Sequence, residues 1–95
     1  METSLISLPR EFHTLATRKS GASARNVLLN RLAHQESVIL DFEESSVSPS
    51  FADELIGLVA KELGFDSFKK RVKLVNVSPS TKSILMHVIK KRVAE

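Results

Sequence analysis

Val47-Ser48-Pro49-Ser50 and Val77-Ser78-Pro79-Ser80 are two copies of one tetrapeptide, thirty residues apart. The first follows the run Ser37-Val38-Ile39-Leu40-Asp41-Phe42, the second Arg71-Val72-Lys73-Leu74-Val75-Asn76-Val77. Both runs are rich in β-branched residues, and both tetrapeptides lead into helical apolar spacing. The chain therefore reads strand, Val-Ser-Pro-Ser, helix, and then the same again. Proline fixes φ near −65° and has no N–H, which suits the first helical position. It also turns the preceding serine away from the α region and sharpens the corner. Two caps are open for the first copy. Either Ser48 accepts an orphan N–H of the first turn, or Ser50 is the cap with Asp53 completing a shortened capping box. A serine at a helix start just past a strand is also a place where anions bind or a phosphate is carried.

Working outward, Ala52, Leu55, Ile56, Val59 and Leu63 trace one stripe of a helix from Ser50 to Leu63, with Phe51 and Leu58 at its border. Gly64 ends it in a left-handed position, and Phe65 is expected to pack back on it. Residues 66–70 read as a connector. Residues 71–77 form the next strand, and the helix from Ser80 to about Val93 buries Ile84, Leu85, Val88 and Ile89. Upstream, Ala24, Val27, Leu28 and Leu32 give a helix over 22–34, capped by Ser20 or Ser23, with Ser20 and Gly21 breaking whatever precedes it. Leu5, Ile6 and Leu8, ending at Pro9, fit an edge strand; residues 10–20 carry no clear pattern. The near-continuous apolar run 38–42 predicts a central strand buried on both faces or nearly so. Strand, helix and strand at these lengths call for right-handed crossovers and parallel pairing. The expectation is an α/β fold, β-α-β-α-β-α, over a single domain 1–95, with 1–20 as an edge strand or arm.

The chain has 95 residues, no cysteine and a net charge of +3. That excludes a disulfide frame, thiolate catalysis and cysteine-held metal. No signal peptide or membrane-length run is evident, so a cytoplasmic location without membrane association is expected. The charge is arranged in blocks. Residues 36–66 carry eight acidic groups and one basic, and residues 67–95 carry eight basic groups and one acidic. Arg18, Lys19, Arg25 and Arg31, with Lys90, Lys91 and Arg92, make nucleic-acid binding the alternative function. No Trp or Tyr is present to stack on bases. His13, His34 and His87 are scattered without ligand spacing, so no metal or other cofactor is expected. The carboxylate pairs Glu43-Glu44 and Asp53-Glu54 read as solvated surface charge, because adjacent side chains diverge. No constellation argues for catalysis.

A resemblance enters at these residues. Leu40-Asp41-Phe42, then Ser48-Pro49-Ser50-Phe51-Ala52-Asp53-Glu54-Leu55, then Lys73-Leu74-Val75-Asn76-Val77-Ser78 resemble the STAS-like domain family of unknown function, across Val38–Gly64 and Val72–Ile89. The resemblance implies a non-enzymatic regulatory or protein-interaction domain, similar to the anti-sigma factor antagonists. In that family a strand leads through a corner with a phosphorylatable serine into a helix, and the corner docks on a kinase-like partner. By that likeness Ser50 is the candidate phosphoacceptor and Ser48 the second. The partner-binding corner comprises Asp41, Pro49, Phe51, Asp53, Glu54, Asn76 and Ser78, and the implied partner is a GHKL-type ATPase, with a homodimer as a further option. The antagonists' Asp-Ser-Ser-Gly is replaced here: the acidic residue before the serine and the glycine after it are missing. A phosphate on Ser50 is expected to meet Glu43, Glu44, Asp53 and Glu54 and act as a release switch by repulsion.

Overall fold

Three short strands, β1 (Thr3–Ser7), β2 (Ser37–Asp41) and β3 (Val72–Val75), form one sheet in the order β1-β2-β3. The computed structural model describes residues 3–95; Met1 and Glu2, part of the expected N-terminal edge strand, lie outside them. Both pairings are parallel, with Ile6, Leu40 and Leu74 in register across the sheet. Parallel pairing demands long crossovers. The first runs through α1 (Leu8–Glu11) and α2 (Arg18–His34). The second runs through α3 (Pro49–Ala52), a π-helical segment Asp53–Gly57, α4 (Leu58–Leu63) and α5 (Phe65–Arg71). After β3 the chain enters α6 (Pro79–Val93).

Ile6, Val38, Leu40 and Phe42 are buried under the helices together with Leu28, Phe51, Leu55, Ile56 and Val59. Each such side chain contributes about 1.5–3 kcal/mol on leaving water. The alternate residues of the strands face the other way. Leu5 is 57% exposed and Lys73 is exposed, with Ile39 half-buried between them. One face of the sheet is thus open, and β2, expected to be buried on both faces or nearly so, is only half-buried on that face. Polar residues border the open face: Thr3 Oγ1 and Ser37 Oγ share a hydrogen bond of 3.0 Å.

Four local expectations are also revised. α2 starts at Arg18 with Thr17 as its cap, the Thr17 hydroxyl accepting from Ser20 N at 3.0 Å, so neither Ser20 nor Ser23 caps it. It runs straight through Gly21 because that glycine faces the next helix: a Cβ there would lie 2.8 Å from Glu54 Cβ and 2.9 Å from the Phe51 carbonyl. The connector 66–70 is helical, with Phe68 anchoring it in the core. Phe65 stays 42% exposed, beneath the Lys69 ammonium at 5.3 Å from the ring centre. Arg71 closes α2: its guanidinium donates to the carbonyls of Leu32, Gln35 and Glu36 at 2.6, 3.0 and 3.1 Å. These satisfy acceptors that the helix end leaves open.

Candidate functional site: the rim of the twin Ser-Pro-Ser corners

Both tetrapeptides leave the sheet at the carboxyl ends of adjacent parallel strands, so they share one rim. In each the serine before proline is the cap. Ser48 Oγ accepts from Phe51 N at 3.0 Å, and Ser78 Oγ accepts from Thr81 N at 3.3 Å. That settles the first copy in favour of Ser48. The corners are stitched together. Asp41 Oδ1 accepts from Glu43 N and from Asn76 Nδ2, at 2.9 and 3.0 Å. Glu44 N donates to the Asn76 carbonyl at 2.8 Å, and Thr81 Oγ1 to the Ser45 carbonyl at 3.2 Å. The Asn76 amide, then the Glu43 N–H, hold the Asp41 carboxyl below its usual range. Glu43 is held low by the Ser7 hydroxyl and by Arg10.

Backbone strain gathers on this rim. Glu43, Glu44 and Asn76 have φ of 47°, 62° and 53°. The Ser45 N–H donates to the Phe42 carbonyl at 2.8 Å, so two glutamates occupy the centre of a type I′ turn. Glycine, asparagine and aspartate are the residues that favour those positions. A glutamate there costs on the order of 1 kcal/mol and persists only where its surroundings hold it.

Behind the first corner the carboxylates have a different fate from the one the sequence implies. Asp53 and Glu54 are not solvated surface charge. Asp53 is 8% exposed and accepts from Arg92 Nε and Nη2 at 2.8 and 2.6 Å, and from Arg18 Nη1 at 3.0 Å. Glu54 accepts from Arg18 and Arg25 at 2.8 and 2.5 Å. Arg25 also donates to the Glu54 carbonyl at 3.0 Å, inside the π-helical segment, whose wider turn leaves such carbonyls available. The network fastens α2 and α6 to the helix between them. Glycine permits the approach on the second side as well: a Cβ on Gly57 would lie 2.8 Å from Asp53 Oδ1 and 3.0 Å from Arg92 Cγ. The Arg92 pair, followed by Arg18, lowers the Asp53 carboxyl to about 2, and Arg18 foremost lowers Glu54.

This arrangement sorts the residues expected at the corner. Pro49 and Asn76 are exposed, while Asp41, Ser48, Ser50 and Ser78 are half-buried on the rim. Phe51 is fully buried and unavailable to a partner, because the helix turns it into the core rather than to the border of its stripe. Asp53 and Glu54 are committed to arginines. Of the basic residues proposed for nucleic acid, Arg18, Arg25 and Arg92 hold those carboxylates, and Arg31 donates to Ser4 Oγ at 2.6 Å. Lys19, Lys90 and Lys91 are exposed. Sequence reasoning missed the cleft beside Ser50, of about 180 Å³, lined by Arg18, Pro49, Asp53, His87, Val88 and Lys91. His87 and Lys91 lie one helical turn apart on α6, and that spacing was the available signal. Among the described residues, no group of three or more metal-ligating side chains converges, and no helix is long and apolar enough to cross a membrane.

The family model for the STAS-like domain of unknown function matches residues 20–82, from early in α2 through both corners to the start of α6. The chain belongs to this family. The three-stranded parallel sheet under its helices is a small STAS-like fold, as the resemblance implied. No curated protein and no solved structure matches the chain. The STAS-like domain thus carries the strand–corner–helix unit twice, with both corners inside the matched span.

Proposed function

We propose that this STAS-like domain is a non-enzymatic, cytoplasmic regulatory module that docks a protein partner on the rim of the twin corners, with Ser50 as the phosphoacceptor that controls docking. The observation that carries the reading is the joining of both Ser-Pro-Ser corners on one rim whose turn holds two strained glutamate backbones. Strain of this kind clusters at binding sites. Ser50 is the better acceptor because the Ser48 hydroxyl is engaged as the helix cap. The partner class is a GHKL-type ATPase, by likeness to anti-sigma factor antagonists.

The surroundings of Ser50 change the expected mode of the switch. The cleft beside it presents Arg18, His87 and Lys91 together with Asp53, whereas Glu43 is engaged with Ser7 and Arg10. A phosphate of −1.5 to −2 charge competes with Asp53 for Arg18 and draws in Lys91. Docking is then altered by rearranging the cleft as well as by repulsion. Pull-down with wild type, Ser50→Ala and Ser50→Asp tests this. Strong recovery by Ser50→Ala and weak recovery by Ser50→Asp supports the switch; equal recovery by both ends it.

A further inference from the structure

The helix layer is wider than the sheet beneath it. Neighbouring helices sit about 8–10 Å apart and neighbouring strands about 4.8 Å apart. Here α2, the α3–α4 helix and α6 lie side by side over three strands, and α6 packs on α3, the π segment and α4. Its free flank overhangs the edge of the sheet at β3. Between β3 and α6 runs a groove of about 400 Å³, lined by Leu74, Val77, Lys82, Leu85, Met86 and Ile89. It continues past Ile89 into a second apolar hollow of about 270 Å³, reaching Phe65 and Val93. Met86, Phe65 and Val93, 55%, 42% and 43% exposed, all lie along this strip.

The backbone at that edge is also open. Phe42 N donates to the Val75 carbonyl, so in a parallel ladder Val75 and Lys73 bond β2 and the Leu74 amide and carbonyl face away from it. Among the described residues β3 has no strand beyond it, so these two Leu74 groups face an unpaired edge. Unpaired edge, apolar floor and overhanging helix are the three elements that an added strand needs.

We infer that β3 accepts an extended segment of a partner protein as a fourth strand, with apolar side chains alternating into the β3–α6 groove and acidic ones between them. The acidic character follows from the edge itself. Residues 67–95 carry eight basic groups against one acidic, and Lys73, Lys82 and Lys90 are exposed on the edge, the groove and its continuation. The same charge disfavours a second copy of this chain, since β3 against β3 brings two basic flanks together. This surface is separate from the Ser50 cleft and stands independently of the function proposed for it.

Selection of short random peptides against the full chain tests the inference, followed by amide hydrogen exchange on the selected complexes. The expected peptides alternate apolar and acidic residues and slow exchange of the Leu74 amide, while the Lys73 and Val75 amides are already protected in the free chain. Lys82→Glu and Met86→Glu, both at exposed positions, weaken the selected peptides about tenfold or more, equivalent to about 1.4 kcal/mol. Ser50→Ala leaves them unchanged, which separates this surface from the corner. Selection of basic or proline-rich peptides overturns the inference, as does recovery of no peptide or unchanged Leu74 exchange. Concentration-dependent self-association that protects Leu74 assigns the edge to a second copy and overturns it equally.

Discussion

Replacing Asp53 by asparagine removes the charge on which α2 and α6 converge. The side chain keeps its size and can still accept one hydrogen bond from Arg92, so the loss reports the ion pairs rather than packing. Depression of the carboxyl from 3.8 to about 2 corresponds to about 2.4 kcal/mol of stability at neutral pH. Arg18 is half exposed, and screening by solvent reduces the figure to about 1.5–2 kcal/mol. The folded-state value lies below the unfolded one, so the contribution is complete above about pH 5 and is lost as pH falls through 3.8 toward 2. Roughly half of it is gone at pH 3. Urea unfolding of wild type and Asp53→Asn at pH 7 and pH 3 measures both quantities. The gap is expected to be about 1.5–2 kcal/mol at pH 7 and roughly half that at pH 3. A gap below about 0.5 kcal/mol at pH 7, or one that does not shrink with acid, refutes the clamp.

Three further outcomes follow from the same geometry. Gly21→Ala improves helix propensity by about 1 kcal/mol yet forces a Cβ against Glu54 and Phe51; a net loss of about 1–3 kcal/mol in thermal melting is expected. Ser48→Ala removes a cap and costs about 1 kcal/mol, whereas Ser50→Ala stays within about 0.5 kcal/mol; urea midpoints distinguish them. Glu44→Gly relieves the left-handed strain at φ 62° and stabilises by about 1 kcal/mol, seen as a higher melting temperature.

The strand–corner–helix units were legible because their determinants are local. Proline at the first helical position, a serine cap and a 3.6-residue apolar stripe all act within a few residues, and two copies in series imply parallel strands. What sequence did not show depends on partners far along the chain. Asp53 and Glu54 diverge on their own helix, and only the approach of Arg18, Arg25 and Arg92 from two other helices converts them from surface charge to a buried clamp. Gly21 reads as a breaker until the neighbouring helix that requires it is in place. Helix α5 buries Phe68 alone on its length, too sparse a pattern to announce itself. The open sheet face escaped notice because Ile39 is apolar on both readings. The placement of the candidate residues was legible in part: Ser48, Ser50, Asn76 and Ser78 lie on the shared rim as expected, while Phe51 is in the core and the cleft with His87 and Lys91 was not foreseen.

The most direct test of the proposed docking rim is an amide chemical-shift map of the chain titrated with a GHKL-type ATPase, the partner class proposed for it. The account predicts that the largest changes fall on the amides of Ser48, Ser50, Asn76, Val77, Ser78 and Ser80, and that they vanish when Ser50 carries a phosphate. A footprint centred on α5 or on the open sheet face, or one that persists unchanged after phosphorylation, contradicts it.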